Sequence, residues 1–109
     1  MTVLPPKDHD ALAEIVRRIV RVAAPERIIL FGSAARGEMD PGSDLDLLVI
    51  KPGHYHYGRL TEEIYLNLIG VGRAVDVVVV TPEDVELYRQ SPALVIAPAM
   101  REGRVIYAA

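Results

Sequence analysis

The chain has 109 residues, half of them apolar, which suits one domain with its own core (residues 1–109) and not a disordered segment. The absence of cysteine excludes disulfides, thiolate metal sites and a cysteine nucleophile. A formal net charge of −3 argues against sequence-independent nucleic-acid binding, which depends on neutralising many phosphates.

Met1 to Asp10 carries prolines and charges where a secretion signal would carry an apolar core, and no apolar run approaches the roughly 20 residues of a membrane span. A soluble, cytoplasmic protein is therefore expected. From Asp10 to Ala23, Leu12, Ile15, Val16, Ile19 and Val22 recur at helical spacing, and Glu14, Arg17, Arg18 and Arg21 fill the other face. Asp8 or Asp10 is the candidate cap, and Pro25 stops the helix. Arg27 to Phe31 is a short apolar strand broken by Gly32. Residues 32–43 are small or turn-forming, and Asp44 to Ile50 forms a second strand ended by Pro52-Gly53.

His54, Tyr55, His56 and Tyr57 read as a solvated loop, with stacking on a base or contact with a partner as the alternative. A helix is predicted from Arg59 to Ile69 with Leu60, Ile64 and Leu68 on one stripe. Ala74 to Val80 is a strongly β-branched third strand. Thr81-Pro82-Glu83-Asp84 has the form of a helix start, running to about Arg89. Ser91-Pro92 repeats that signal, Pro98 is expected to split the next stretch into two short turns, and Arg104 to Tyr107 is a possible last strand. About twelve residues join the first two strands, too few for a long crossover helix, so antiparallel pairing is expected. The economical architecture is a mixed β-sheet with helices packed on one face.

Three features carry chemistry. Asp44 and Asp46 lie two apart on a strand, so both side chains share a face, with Cα atoms about 7 Å apart, while Leu45 and Leu47 face a core. Neighbouring carboxylates repel unless a cation separates them, and magnesium, which prefers oxygen ligands, suits that role. Asp76 interrupts a stretch otherwise reading as a strand buried on both faces, where an ionised carboxylate needs a compensating partner. If the third strand neighbours the second, Asp76 joins Asp44 and Asp46, and three carboxylates suffice for two metals roughly 4 Å apart. Gly32-Ser33 comes directly after a strand and suits a phosphate-binding turn, with Arg36 one turn on as a charged contact. Each feature alone has a plainer reading, respectively a solvated turn, a satisfied structural carboxylate and an ordinary turn; their combination is what points to catalysis. A P-loop is excluded, because Glu38 and Met39 come after Gly32 to Gly37 where lysine and a hydroxyl residue are required.

Gly32-Ser33, ten residues, then Asp44-x-Asp46 resembles the nucleotidyltransferase signature of the DNA polymerase beta superfamily. The string Gly32 to Val49 and the ending Arg101-Glu102-Gly103-Arg104-Val105-Ile106-Tyr107 resemble its minimal nucleotidyltransferase branch. The resemblance implies an α/β (α+β) nucleotidyltransferase fold, a mixed β-sheet flanked by α-helices. It implies two Mg2+ ions held by Asp44 and Asp46, with Asp76 on the metal that activates the acceptor and as a candidate proton acceptor. It places Gly32, Ser33, Arg36 and Ser43 on the nucleotide phosphates, with ATP as substrate. It further implies a HEPN-domain toxin as partner, one of whose tyrosines receives AMP in a type VII-like toxin–antitoxin pair. A small-molecule transferase of the aminoglycoside type and a non-catalytic antitoxin acting by binding are the alternatives. Tyr65, Tyr88 and Tyr107 are expected to pack, not to accept AMP.

Overall fold

The computed structural model describes residues 6–36, 44–91 and 95–109. Among them, eight elements run in the order α1 (Pro6–Ala23), β1 (Arg27–Phe31), β2 (Leu45–Ile50), α2 (Tyr57–Asn67), β3 (Val75–Val80), α3 (Pro82–Tyr88), α4 (Ile96–Glu102) and β4 (Arg104–Ala108). The strands form one mixed sheet in the order β3-β2-β1-β4. β1 pairs antiparallel with β2 and with β4, whereas β2 and β3 pair parallel through the α2 crossover. No helix among the described residues is long and apolar enough to cross a membrane.

The sheet is covered on both faces, which corrects the one-sided expectation. Alternation along the strands decides which side chain goes where. Ile28, Leu30, Leu45, Leu47, Val49, Val77 and Val79 join Ile15 and Ile19 of α1 and Leu60 and Ile64 of α2 in the larger core. Ile29, Leu48, Ile50 and Val80 turn the other way and meet Val85 of α3 and Ile96 and Ala99 of α4. The short α3 and α4 cover that second face, whose buried apolar residues reach the ends of β2 and β3 at Ile50 and Val80.

α1 begins at Pro6, four residues before the predicted start at Asp10, because proline suits a first helical turn whose amide lacks a partner. It ends with Ala24 at φ 46, ahead of Pro25. Arg18 Nη1 donates to the carbonyls of Ile69 at 2.9 Å and Asn67 at 3.3 Å, so one guanidinium takes up the open carbonyl end of α2.

α2 starts two residues earlier than its pattern suggests. His56 is the cap, and its Nδ1 accepts the Arg59 amide at 3.1 Å. Tyr55 Oη donates to the Lys51 carbonyl at 2.7 Å, and Tyr57 Oη donates to Asp84 Oδ2 at 3.2 Å. Burial, with the acidic groups nearby, pushes the Tyr55 phenol up to about 12. The histidine–tyrosine stretch is thus a local splice between β2, α2 and α3, in place of a plain solvated loop. Pro98 sits inside the first turn of α4 and does not divide it, since no amide bond is required there. Of the three tyrosines expected to pack, Tyr107 lies against the larger core, while Tyr88 stays exposed. Tyr65, also exposed, accepts the Val77 amide of β3 at 2.8 Å.

At the start of α3, the Thr81 hydroxyl accepts the Asp84 amide at 3.0 Å while the Asp84 carboxylate accepts the Thr81 amide at 3.0 Å. The Thr81 amide, with the Thr81 and Tyr57 hydroxyls, holds the Asp84 carboxyl below its ordinary range against a smaller opposing effect of burial. A depressed carboxyl adds stability above its unfolded-state range, and that stability is lost as pH falls through the folded value. Thr81→Ala is expected to cost about 1 kcal/mol in urea melts at neutral pH. Asp84→Asn is expected to flatten the acid limb of the stability curve; an unchanged limb would exclude the carboxylate as the cap.

Candidate active site

Asp46 is even-numbered on β2, as Leu48 and Ile50 are, so it lies on the α3/α4 face. Phe31 at the end of β1 is its antiparallel partner, and Asp76 on β3 is its parallel partner. The register therefore sets the two carboxylates on adjacent strands, on one face, where α3 and α4 no longer cover the sheet. Asp44 immediately precedes β2 and is exposed. Asp76 is exposed as well, which corrects the expectation of a strand buried on both faces. β3 is an edge strand whose buried residues begin at Val77, although Val75 still packs against the larger core.

Asp46 is the most enclosed of the three. Burial, then the charges of Asp76 and Asp44, push its carboxyl up, and the Arg36 guanidinium works in the opposite direction. Among the described residues, no three histidine or acidic side chains are gathered as a ready metal cage. The donor chemistry nonetheless fits a hard dication: all the donors are carboxylate oxygens, they repel one another, and a cation relieves that repulsion.

Gly32 opens the turn after β1 with φ 74, a region that favours glycine. Space makes the same demand, because a Cβ here would strike Oδ2 of Asp46. The turn and the carboxylate are thus in direct apposition, a relation that linear spacing does not reveal. The Arg36 amide closes the turn, donating to the carbonyls of Gly32 and Ser33 at 3.2 Å each. Ala34 and Ala35 anchor it in the larger core. Backbone amides at the opening of such a turn face outward toward an anion. Ser33 is half-buried beside them, and Arg36 is exposed, with Nη1 3.6 Å from Glu102 Oε2. Ser43 lies outside the described residues.

The structure thus brings Gly32, Asp46 and Asp76 together, with Asp44 and Arg36 close enough for their charges to act on Asp46. Sequence reasoning assigned no role to Glu102; its signal was only its place in the Arg101-to-Tyr107 ending.

Comparison with known proteins bears on the fold and the family. No curated protein matches the chain. A crystal structure of a "putative nucleotidyltransferase" from Sulfolobus solfataricus is similar in fold, with TM-score 0.61 at 17% sequence identity, over 99% of this chain and 92% of that one. The family model described as "Nucleotidyltransferase domain" matches residues 9–101, a span that holds the turn, the strand pair and all three carboxylates, and the chain belongs to that family.

Proposed function

We propose that this nucleotidyltransferase is a magnesium-dependent adenylyltransferase that moves AMP from ATP to a tyrosine hydroxyl of a partner HEPN ribonuclease, as the antitoxin of a type VII-like pair. The observation that carries the chemistry is the apposition of the positive-φ Gly32 turn with Asp46, which has Asp76 beside it in register. A triphosphate seated on the turn has its α-phosphorus beside the carboxylates. Gly32 and Ser33 hold the terminal phosphates through backbone amides and the serine hydroxyl, and Arg36 adds a charged contact. Asp44, Asp46 and Asp76 would hold magnesium, which supplies charge neutralisation on the triphosphate and on the departing pyrophosphate. The acceptor oxygen forms a bond to the α-phosphorus, the bond to the β-phosphate oxygen breaks, and the acceptor proton passes to Asp76.

The exposure of Asp44 and Asp76 supports a macromolecular acceptor, since a hydroxyl on another protein can approach them from solvent. Adenine and the HEPN partner come from the family resemblance, because the phosphate and metal residues are indifferent to the base. Incubating the chain with a candidate HEPN protein, mixed nucleoside triphosphates and magnesium is expected to add one AMP to a tyrosine, seen by mass spectrometry. EDTA or Asp44→Asn is expected to abolish the label. An unlabelled partner in the presence of folded, triphosphate-binding enzyme would overturn the protein-acceptor reading, and labelling of an aminoglycoside instead would establish the small-molecule alternative.

A further inference from the structure

The last turn of α4 and the start of β4 touch the phosphate turn at two points. Gly103 joins the two elements, and its amide donates to the Ala99 carbonyl at 2.9 Å. Its backbone is ordinary extended chain (φ −77, ψ 166), so conformation does not require glycine. Packing does: a Cβ would strike the Ala99 carbonyl and the Ile29 side chain, and would stand 3.1 Å from the Leu30 carbonyl. The junction is therefore pressed against the end of β1, two residues before Gly32. From this pivot Glu102 reaches the Arg36 guanidinium at 3.6 Å. Arg104, on the other side, donates from Nε to the Ala35 carbonyl at 3.4 Å. Glu102 Oε1 also stands 3.7 Å from Arg101 Nη2, a second cation beside its carboxylate.

We propose that Glu102 and Arg104, set by Gly103, are positioning residues that clamp the Gly32–Arg36 turn from outside, so that triphosphate affinity depends on side chains near the far end of the chain. The inference rests on the reading of that turn as the phosphate site. Ala34 and Ala35 already fix the floor of the turn by burial, so the clamp is not needed for folding. Its contacts are partly exposed, and such pairs contribute little to stability. What they govern is the direction of the Arg36 guanidinium and the placement of the turn's backbone. A phosphate contact is sensitive to both.

The test is calorimetric titration of the full chain with two probes in the presence of magnesium, α,β-methylene ATP and inorganic tripolyphosphate. Glu102→Gln is expected to weaken both by the same factor, about two- to five-fold, the scale of an exposed ion pair. Combined with Arg104→Met, the loss is expected to reach about ten-fold, with the melting temperature nearly unchanged. Arg104→Lys in place of methionine is expected to restore part of the affinity, since a charged donor returns. Unaltered affinity for both probes, weakening confined to the nucleotide, or a loss that tracks melting temperature would overturn the clamp alone. Failure of the unaltered chain to bind tripolyphosphate would overturn the phosphate reading of the turn and the clamp with it.

Discussion

Replacing Asp46 by asparagine is expected to abolish nucleotidyl transfer while making the metal-free protein more resistant to heat. The carboxyl of Asp46 is pushed up by burial first, then by Asp76 and Asp44, so the folded chain holds its proton more tightly than the unfolded chain does. Ionisation at neutral pH therefore works against the fold. Stability declines as pH rises from the ordinary carboxylate range through the folded value, and stays reduced above it. Asparagine keeps the shape and removes the charge. Its stabilising effect should be present at neutral pH and vanish in acid, where aspartate itself is protonated. Under the proposed function activity moves the other way, because the dication would lose one of its carboxylate ligands. A fall of at least about a thousand-fold is expected, equivalent to several kcal/mol of transition-state stabilisation. Magnesium should raise the melting temperature of the unaltered chain and have much less effect on the variant. Thermal melts between pH 3 and pH 8, with and without magnesium, check the first half, and a transfer assay checks the second. A variant less stable at neutral pH, or one retaining a tenth of the activity, would contradict the role given to Asp46.

The second large effect is expected at Gly32. Alanine there meets two separate penalties. The backbone at φ 74 disfavours any side chain, at a cost of roughly 1–2 kcal/mol. The new Cβ also occupies the space of Asp46 Oδ2, so the carboxylate has to turn away from the phosphate turn. Misplacing a catalytic group by about 1 Å costs on the order of a hundred-fold in rate, and that is the minimum expected here. Gly53 supplies the control. Its φ is 102 and nothing lies within 4 Å of a Cβ built on it, so Gly53→Ala meets only the backbone penalty. Gly53→Ala is expected to lose only the backbone share of the stability that Gly32→Ala loses in denaturant melts, and only Gly32→Ala is expected to lose activity. Equal activity in the two would separate the turn from the chemistry.

Local pattern was a good guide where one residue type dominates an element. The apolar stripe of α1, the β-branched run of β3 and the Thr81–Asp84 cap were all legible, because period and hydrogen-bonding capacity are properties of neighbouring residues. The start of α2 was read two residues late because histidine is an uncommon cap, and nothing near His56 shows that its Nδ1 will take the Arg59 amide. Pro98 looked like a divider because proline breaks helix interiors. Only its position within the first turn makes it harmless.

The number of covered faces was misjudged for a related reason. Leu47 to Ile50 is continuously buried, which is the mark of a strand enclosed on both sides. That burial requires α3 and α4, each of 7 residues and too short for a helical period to announce a second layer. Asp76 illustrates the opposite error. A charge within a β-branched run suggests a buried carboxylate needing rescue, yet Asp76 is exposed near the start of β3, an edge strand whose buried residues begin at Val77.

The amino-acid sequence by itself determined the alternation along β2, which turns Asp46 away from Leu45 and Leu47, since strand side chains alternate with period two. It also determined that a glycine–serine turn succeeds an apolar strand, and that no cysteine chemistry is available. It did not determine what those residues face. The Phe31–Asp46 register brings the turn against the carboxylate, and the parallel pairing of β2 with β3 sets Asp76 opposite Asp46. The α4–β4 junction carries Glu102 to Arg36 across more than half the length of the chain. These relations join residues far apart in the chain. They arise from how strands pair and helices pack around a shared core, which no local window of sequence contains.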